Sequence, residues 1–276
     1  MRKCLVVASL LLGLAGRAHA QGVVVAPHAV FMDARTRSAM VTLYNPGTEP
    51  AEVTITSFFG YPGTDSAGQF MLVTPDSAQA AGMPSATAWI EAFPRRMTIA
   101  PLQRQTIRLL ARPPQGLADG EYWSRLIISA KGGSLPVTGI DTTSNISIGL
   151  MLEVRTIIPL LYRKGKLTTG VTVSDLRSQR TGDSLVVRAK MKRQGTAAFL
   201  GIARGTLVNA RGEAVAKFER PIAIYYDADP AFELPAPAVP GRYLLRLEVV
   251  SERTDIPQDQ LLRSPPVSDS LEVTLP

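Results

Sequence analysis

Beyond residue 20 the chain holds one histidine, His28, and no cysteine. Few groups remain that titrate near neutrality, attack a carbonyl or bind a soft metal. A Ser-His-Asp triad would have to use His28, which stands beside Pro27 in an apolar, strand-like segment. An edge or surface histidine is the simpler reading of that position. Asp227 and Asp229 in "YYDADP" are spaced like paired carboxylates, but they read more simply as a polar turn. The spacing of histidines gives no metal site, and there is no glycine loop to cradle phosphate. Trp89 and Trp123 are suited to a sugar site, although buried aromatics are commoner in β-sandwiches. The sequence therefore predicts no enzyme, cofactor or metal.

The chemistry that stands out belongs to the backbone. "SNISIGLMLEVRTIIPLLYRKG", Ser144 to Gly165, reads as one extended segment. Ile146, Ile148, Leu150, Leu152 and Val154 alternate with Ser147, Gly149, Met151, Glu153 and Arg155. The apolar pattern continues through Ile157, Ile158, Leu160 and Leu161. An ordinary strand runs about 5–6 residues, and this one is roughly three times longer. One explanation is that both faces are buried in the chain's own core. The other is that its upstream half lies at a sheet edge and adds to another protein as a β-strand, by backbone hydrogen bonds and alternate apolar side chains. An exposed edge is an aggregation hazard, so keeping one implies a partner. The even-numbered face is the candidate donor face. The odd face of Ser147, Gly149 and Met151 is too small and mixed to fill a groove. "KGGSLPVTGIDTT", just upstream, reads as a polar, glycine-rich loop.

The rest of the chain must present that segment. Residues 1–20 read as a secretory signal peptide: Arg2 and Lys3, an apolar stretch from Leu5 to about Leu14, then Ala18-His19-Ala20, with cleavage before Gln21. No later apolar run is long enough to span a bilayer. Loss of Arg2, Lys3 and Arg17 lowers the formal charge from +7 to +4. That mild excess has no basic run, which argues against nucleic acid. An exported chain without disulfides must rely on packed cores. Short alternating segments such as "GVVVAPHAVFM", "SAMVTLYN", "QTIRLLA" and "GRYLLRLEVVS" are separated by turn-formers such as "NPGTEP" and "RPPQGLADG". The pattern predicts an all-β protein of two immunoglobulin-like β-sandwiches. Gly60 to Ser85 is loop-rich, with room for a short hairpin. The long strand is expected to run at least from Ile146 to Tyr162, with the boundary at Arg163–Lys166.

Four stretches resemble the periplasmic pilus-assembly chaperones of chaperone–usher systems. They are "VVVAPHAVFMD" with "SAMVTLYNPGTEPAEVTI", "FPRRMTIAPLQRQTIRLLA", "LADGEYWSRLIIS" and "TIIPLLYRKG". "DGEYWSRL" and "IPLLYRKG" look nearer the non-classical, archaic branch. The resemblance spans roughly residues 23–165 and implies two immunoglobulin-like domains in a boomerang: a signal peptide over 1–20, a chaperone domain over 21–163 and a second domain over 164–276. It implies that the chain works in the Gram-negative periplasm. There it would donate Ile146, Ile148, Leu150, Leu152 and Val154 to fimbrial or surface-fibre subunits that lack a strand, until an outer-membrane usher exchanges it. No cofactor, nucleic acid or membrane insertion is implied. In classical members a basic pair anchors the subunit's terminal carboxylate. The matching positions here are His28 and Pro159, so that anchor is altered. Arg155, Arg163 or the Arg95–Arg96 pair could replace it. By position, Arg108, Glu121 and Arg163 resemble the family's internal charge network, with Asp119 the alternative to Glu121. Arg253, in the polar loop "SERTDIPQDQ", is expected to be an unengaged surface arginine.

A different class of function is a structural or adhesive immunoglobulin-like subunit of a surface fibre. That reading expects a free N-terminal donor extension and a domain lacking its last strand. Here the chain enters "VVVAPHAVFM" almost at once, which favours the chaperone. An enzyme or sugar-binding sandwich ranks behind both.

Overall fold

A computed structural model describes residues 22–136 and 149–275. In chain order the first part contains β1 (Val24–Ala26), β2 (Val30–Asp33), β3 (Ser38–Tyr44), β4 (Ala51–Phe58), β5 (Tyr61–Thr64), β6 (Phe70–Val73), β7 (Ile90–Phe93), β8 (Arg96–Ile99), β9 (Arg104–Ala111), β10 (Gly120–Pro136) and β11 (Gly149–Lys164). The second contains β12 (Thr169–Thr181), β13 (Ser184–Gly195), β14 (Phe199–Val208), β15 (Ala214–Ile224), β16 (Asp227–Ala228), β17 (Ala231–Pro235), β18 (Gly241–Val250) and β19 (Val267–Leu275).

The fold is all-β, with two immunoglobulin-like sandwiches. In the first, a sheet ordered β1-β3-β9-β7 faces a sheet ordered β2-β11-β10-β4-β8. In the second, β12-β13-β16, with β17 also on β13, faces β15-β14-β18-β19. Alternation builds both cores. Val41, Leu43, Ile107 and Leu109 point inward from one sheet, and Leu126, Ile128, Ile158, Leu160 and Tyr162 from the other. Leu185, Val187, Ala189 and Met191 do the same on β13, opposite Leu245, Leu247 and Val249 on β18.

Two local expectations are corrected and a third is met. "GVVVAPHAVFM" is not one strand. β1 pairs with β3 while β2 pairs with β11 in the facing sheet. Pro27, with no N–H to give a ladder, marks the crossing. The polar segment from Lys131 is not all loop, because β10 continues to Pro136 past a register shift between Lys131 and Ser134. Backbone pairing with β11 overrides its glycine content. Between Gly60 and Ser85 a true hairpin forms, β5 pairing with β6 from Tyr61↔Val73 to Thr64↔Phe70.

That hairpin belongs to the first part of the chain yet is fastened to the second. The Ala231 amide donates to Gly68 O at 2.9 Å, and the Asp229 amide donates to Thr64 Oγ1 at 2.9 Å. Arg188 Nη1 donates to Ser66 O at 3.0 Å. The Tyr61 and Tyr226 rings meet edge to face, centroids 4.7 Å apart. Gly68 has φ +83°, and a Cβ there would lie 2.7 Å from the Ala231 nitrogen. Gly68→Ala is therefore expected to lift the hairpin tip off the second domain. It should lower stability by about 1–3 kcal/mol, measured as a fall in the urea midpoint, with faster protease nicking between Asp65 and Gln69. Unchanged values on both counts would show that the tip contact contributes nothing.

Candidate functional site: an open strand edge above an interdomain cleft

β11 pairs with β10 along its whole length, from Gly120↔Lys164 to Pro136↔Gly149. On its other side β2 covers only Leu160 to Arg163. From Gly149 to Pro159 no strand among the described residues pairs with that edge. Pro159 has no N–H and sits where the β2 pairing stops. β4 leaves β10 at Gly132, so the distal β10–β11 ribbon runs on beyond the sheet.

The side chains of β11 change character along its length. Leu152 is 40% and Val154 37% exposed on the even face, while Glu153 and Arg155 on the odd face pair with each other at 2.9 Å. From Ile158 on, the even residues Ile158, Leu160 and Tyr162 enter the first core. The odd residues Ile157, Pro159 and Leu161 line a cleft against the second domain. From Ile158 to Tyr162 the strand is thus covered on both faces, and the part upstream, Ile157 included, is open. The Val154 side chain lies 3.2 Å from where a Cβ on Gly22 would stand.

The cleft has a volume of about 470 Å³ and is lined by His28, Phe31, Arg125, Tyr225 and Arg253, with Phe70, Met71 and Leu72 of β6 along its wall. Arg125 is only 8% exposed. Its Nε donates to Gly60 O at 3.0 Å, its guanidinium lies over the Tyr225 ring at 5.4 Å, and no carboxylate among the described residues pairs with it. Arg253 is engaged differently, donating to both Asp255 oxygens at 2.7 and 2.5 Å and to Ile222 O at 3.3 Å. Its side chain is 15% exposed, so it is no unengaged surface residue. The Arg253 guanidinium holds the Asp255 carboxyl below its ordinary value. Burial pushes the Tyr225 phenol up to about 12, against the opposing charge of Arg125.

Beside the cleft the two domains share one carboxylate. Glu121, on β10, is 2% exposed. Its Oε1 accepts from Trp123 Nε1 at 3.0 Å and from the Ala198 amide of the second domain at 3.0 Å. Its Oε2 accepts from Arg163 Nε at 2.8 Å. Arg163 also donates through Nη1 to Gln260 O at 2.5 Å and lies over the Phe31 ring at 4.6 Å. Phe59, Trp123, Leu161, Ala198, Leu200, Tyr225, Ile256 and Leu261 form the apolar seam around it.

Some of the residues chosen from the sequence come together and others do not. Glu121 and Arg163 meet. Arg108 does not join them: it is exposed on β9, between Met40 and Phe93 of the outer sheet, and no hydrogen bond or ion pair links it to either. Asp119 instead pairs loosely with Lys164 at 3.9 Å. Of the two anchor candidates His28 reaches the cleft. Arg155 does not: its side chain is 66% exposed and held by Glu153. Arg163 is committed to Glu121, and Arg95 and Arg96 line a separate depression beside Glu91. Arg125 was missed. Its only sequence signal was a charge inside the apolar segment "YWSRLIIS", where an alternating strand places it opposite the core-facing Leu126. Ile146 and Ile148 lie outside the described residues. Leu150 is in β11. Trp123 is part of the seam rather than a sugar platform, and Asp229 pairs with Arg177 and Arg188. Among the described residues no cluster of metal-ligating side chains forms.

No family model matches the chain, and no curated protein does. Solved structures similar to it include the SafB chaperone of Salmonella enterica, in complex with the SafA pilin. That likeness has 16% identity, covers 91% of this chain and 97% of the other, and has a TM-score of 0.43. The CupB2 chaperone of Pseudomonas aeruginosa is similar at 13% identity over 91% of this chain and 100% of the other, TM-score 0.42. The CsuC–CsuE chaperone–tip adhesion subunit complex of Acinetobacter baumannii is similar at 15% identity over 77% and 90%, TM-score 0.39.

Arg163→Ala would leave the Glu121 charge buried and unpaired. It should cost about 3–5 kcal/mol, whereas Arg211→Ala, at an 83% exposed side chain, should cost under about 0.5 kcal/mol. Urea midpoints and yields of soluble protein check this, and equal losses would mean the pair is not structural. Tyr225 gives a pH test. Its folded value exceeds the unfolded value of about 10, so its contribution is intact below pH 10 and is lost as pH rises toward 12. Tyr225→Phe should flatten the alkaline fall in stability. Parallel curves for the two proteins would remove Tyr225 as its cause.

Proposed function

We propose that this chain is a chaperone of the Gram-negative periplasm. It binds fimbrial or other surface-fibre subunits by donating a β-strand to their incomplete immunoglobulin fold. Residues 21–163 form the donating domain and residues 164–276 the domain that buttresses it. The observation that carries the reading is the β11 edge. It is unpaired from Gly149 to Pro159, with Leu152 and Val154 exposed on one face and charged residues on the other. The four stretches of sequence resemblance support it independently.

The backbone of β11 adds to the subunit's open groove, and Ile146, Ile148, Leu150 and Leu152 fill it, with Val154 at the domain end. Each buried side chain contributes about 1.5–3 kcal/mol before the costs of association. The unmade core of the subunit supplies the driving force, with no ATP or cofactor. An outer-membrane usher then replaces this strand with the next subunit's own extension. The cleft at the base of β11 receives the subunit's C-terminal carboxylate. Arg125, with His28 at the rim, is the cation that faces it, in place of the basic pair of classical members.

The test is co-expression with an exported immunoglobulin-like fibre subunit that lacks its last strand. Ile148→Asp with Leu150→Asp would place charge in an apolar groove. Such a chaperone should stay soluble and two-domain while the subunit is degraded or aggregates. Undiminished subunit recovery would overturn the reading. A double variant that itself fails to fold would place the even face in the protein's own core. Arg125→Gln and truncation of the subunit's C-terminus should each lower recovery, and together no further than either alone. Additive losses would separate Arg125 from the carboxylate.

A further inference from the structure

Of the twelve large apolar side chains left exposed among the described residues, three are Leu152, Val154 and Ile157 of β11. Three more are consecutive on one short strand, Phe70, Met71 and Leu72 of β6, at 41%, 49% and 36% exposure. A strand in an ordinary sheet hides one face, so three successive exposed apolar residues mean that neither face of β6 is covered. β5 and β6 form a sheet of two strands, which leaves the outer edge of β6 without a neighbour among the described residues. All three side chains line the same cleft as Ile157 and Pro159 of β11 and as Arg125. A monomer seldom leaves such a patch uncovered unless it binds something.

We infer that β6 is a second, specificity-determining contact for the subunit that β11 holds. In this arrangement Phe70, Met71 and Leu72 take apolar side chains from the extended segment the subunit lays along the base of β11. The inference rests on the proposed strand-donating function. The occupant follows from continuity. A chain leaving the open edge at Pro159 toward Arg125 passes into a space walled by β6 together with Tyr225 and Arg253 of the second domain. The patch carries no charge of its own, so it selects apolar residues in that segment and discriminates against acidic or strongly polar ones.

The wall is built before any partner arrives. The hairpin tip is hydrogen-bonded to the second domain at Ala231, Asp229 and Arg188, and its base is packed through Tyr61 on Tyr226. A pre-formed wall avoids the ordering cost that a free loop would incur on binding.

The experiment is a competition. Wild-type chaperone and a Phe70→Ser/Met71→Ser variant, differently tagged, are co-expressed in equal amounts with the strand-lacking subunit that the wild type protects, and the ratio bound to that subunit is measured. The variant should be depleted about tenfold or more. Val239→Ser, at 69% exposure in the second domain, should compete equally with wild type. If the β6 variant competes equally while Ile148→Asp/Leu150→Asp is excluded, this inference falls and strand donation stands. If neither variant is depleted, the strand-donating reading itself fails. Should the double variant not fold, Met71→Ser alone tests the same wall and should still be depleted severalfold. A wild-type chain that dimerises through β6, losing the dimer but not its share of subunit on Phe70→Ser/Met71→Ser, would assign the patch to a second copy of the chain instead.

Discussion

A single buried carboxylate sets the relation between the two sandwiches. Glu121 cannot keep its charge out of water without donors, and it finds three: an indole two residues away, an arginine on the neighbouring strand, and a backbone amide of the other domain. Those donors come from β10, β11 and the turn before β14, so the three segments meet at one point to within a hydrogen bond. Trp123 is oriented by its share of the carboxylate, and its ring then packs edge to face on Tyr225, centroids 4.6 Å apart. Arg163 is spread between Glu121, the Gln260 carbonyl and the Phe31 face. A rotation of one domain would break several of these contacts together. The pair is a device for geometry more than for net stability, since a buried ion pair gains little over an apolar one of the same shape.

That geometry explains why β11 changes character at Ile158. Downstream, the first core covers one face and the second domain the other, so consecutive apolar residues are required. Upstream, the second domain no longer reaches the strand, and apolar and charged residues alternate. The edge is left unpaired over the same stretch. Proteins usually blunt such an edge with charge, a bulge or a cover. Here the Glu153–Arg155 pair keeps one face polar, Gly22 covers the base of the other, and the register shift between Lys131 and Ser134 perturbs the companion strand. These measures lower the hazard without closing the edge.

How much of this was legible in the sequence depended on the range of the interaction. Period-two alternation made the all-β class, the two sandwiches and the long β11 readable, because burial on one face writes itself into neighbouring residues. The crossing at Pro27 was misread because "VVVAPHAVF" alternates equally well on either sheet. The strand character of Lys131 to Pro136 was hidden by glycines that pairing with β11 tolerates. Arg108 was misplaced because a charge within an alternating strand does not say which sheet carries it. Arg125 and Arg253 were missed for a related reason. One sits in an apolar strand and the other in a polar loop, and only the docking of the second domain makes them face one cleft. Arg155 had the right charge and the right strand, but its near neighbour Glu153 takes the guanidinium.

The second domain therefore acts without contributing to the edge itself. It supplies the Ala198 amide on one side of the cleft and holds the β5–β6 tip on the other. The first contact sets where β11 leaves the body of the protein, and the second sets how far the β6 wall stands from it. Two attachments on separate elements resist both opening and twisting, which a single hinge contact would not. The cleft is then a fixed shape rather than one formed on demand. An extended segment binding there would give up its own freedom, while the surface it met would give up almost none. On the proposed reading the exposed strand must be free for a partner yet safe from its own kind, and rigidity below the edge is what makes an open edge above it tolerable.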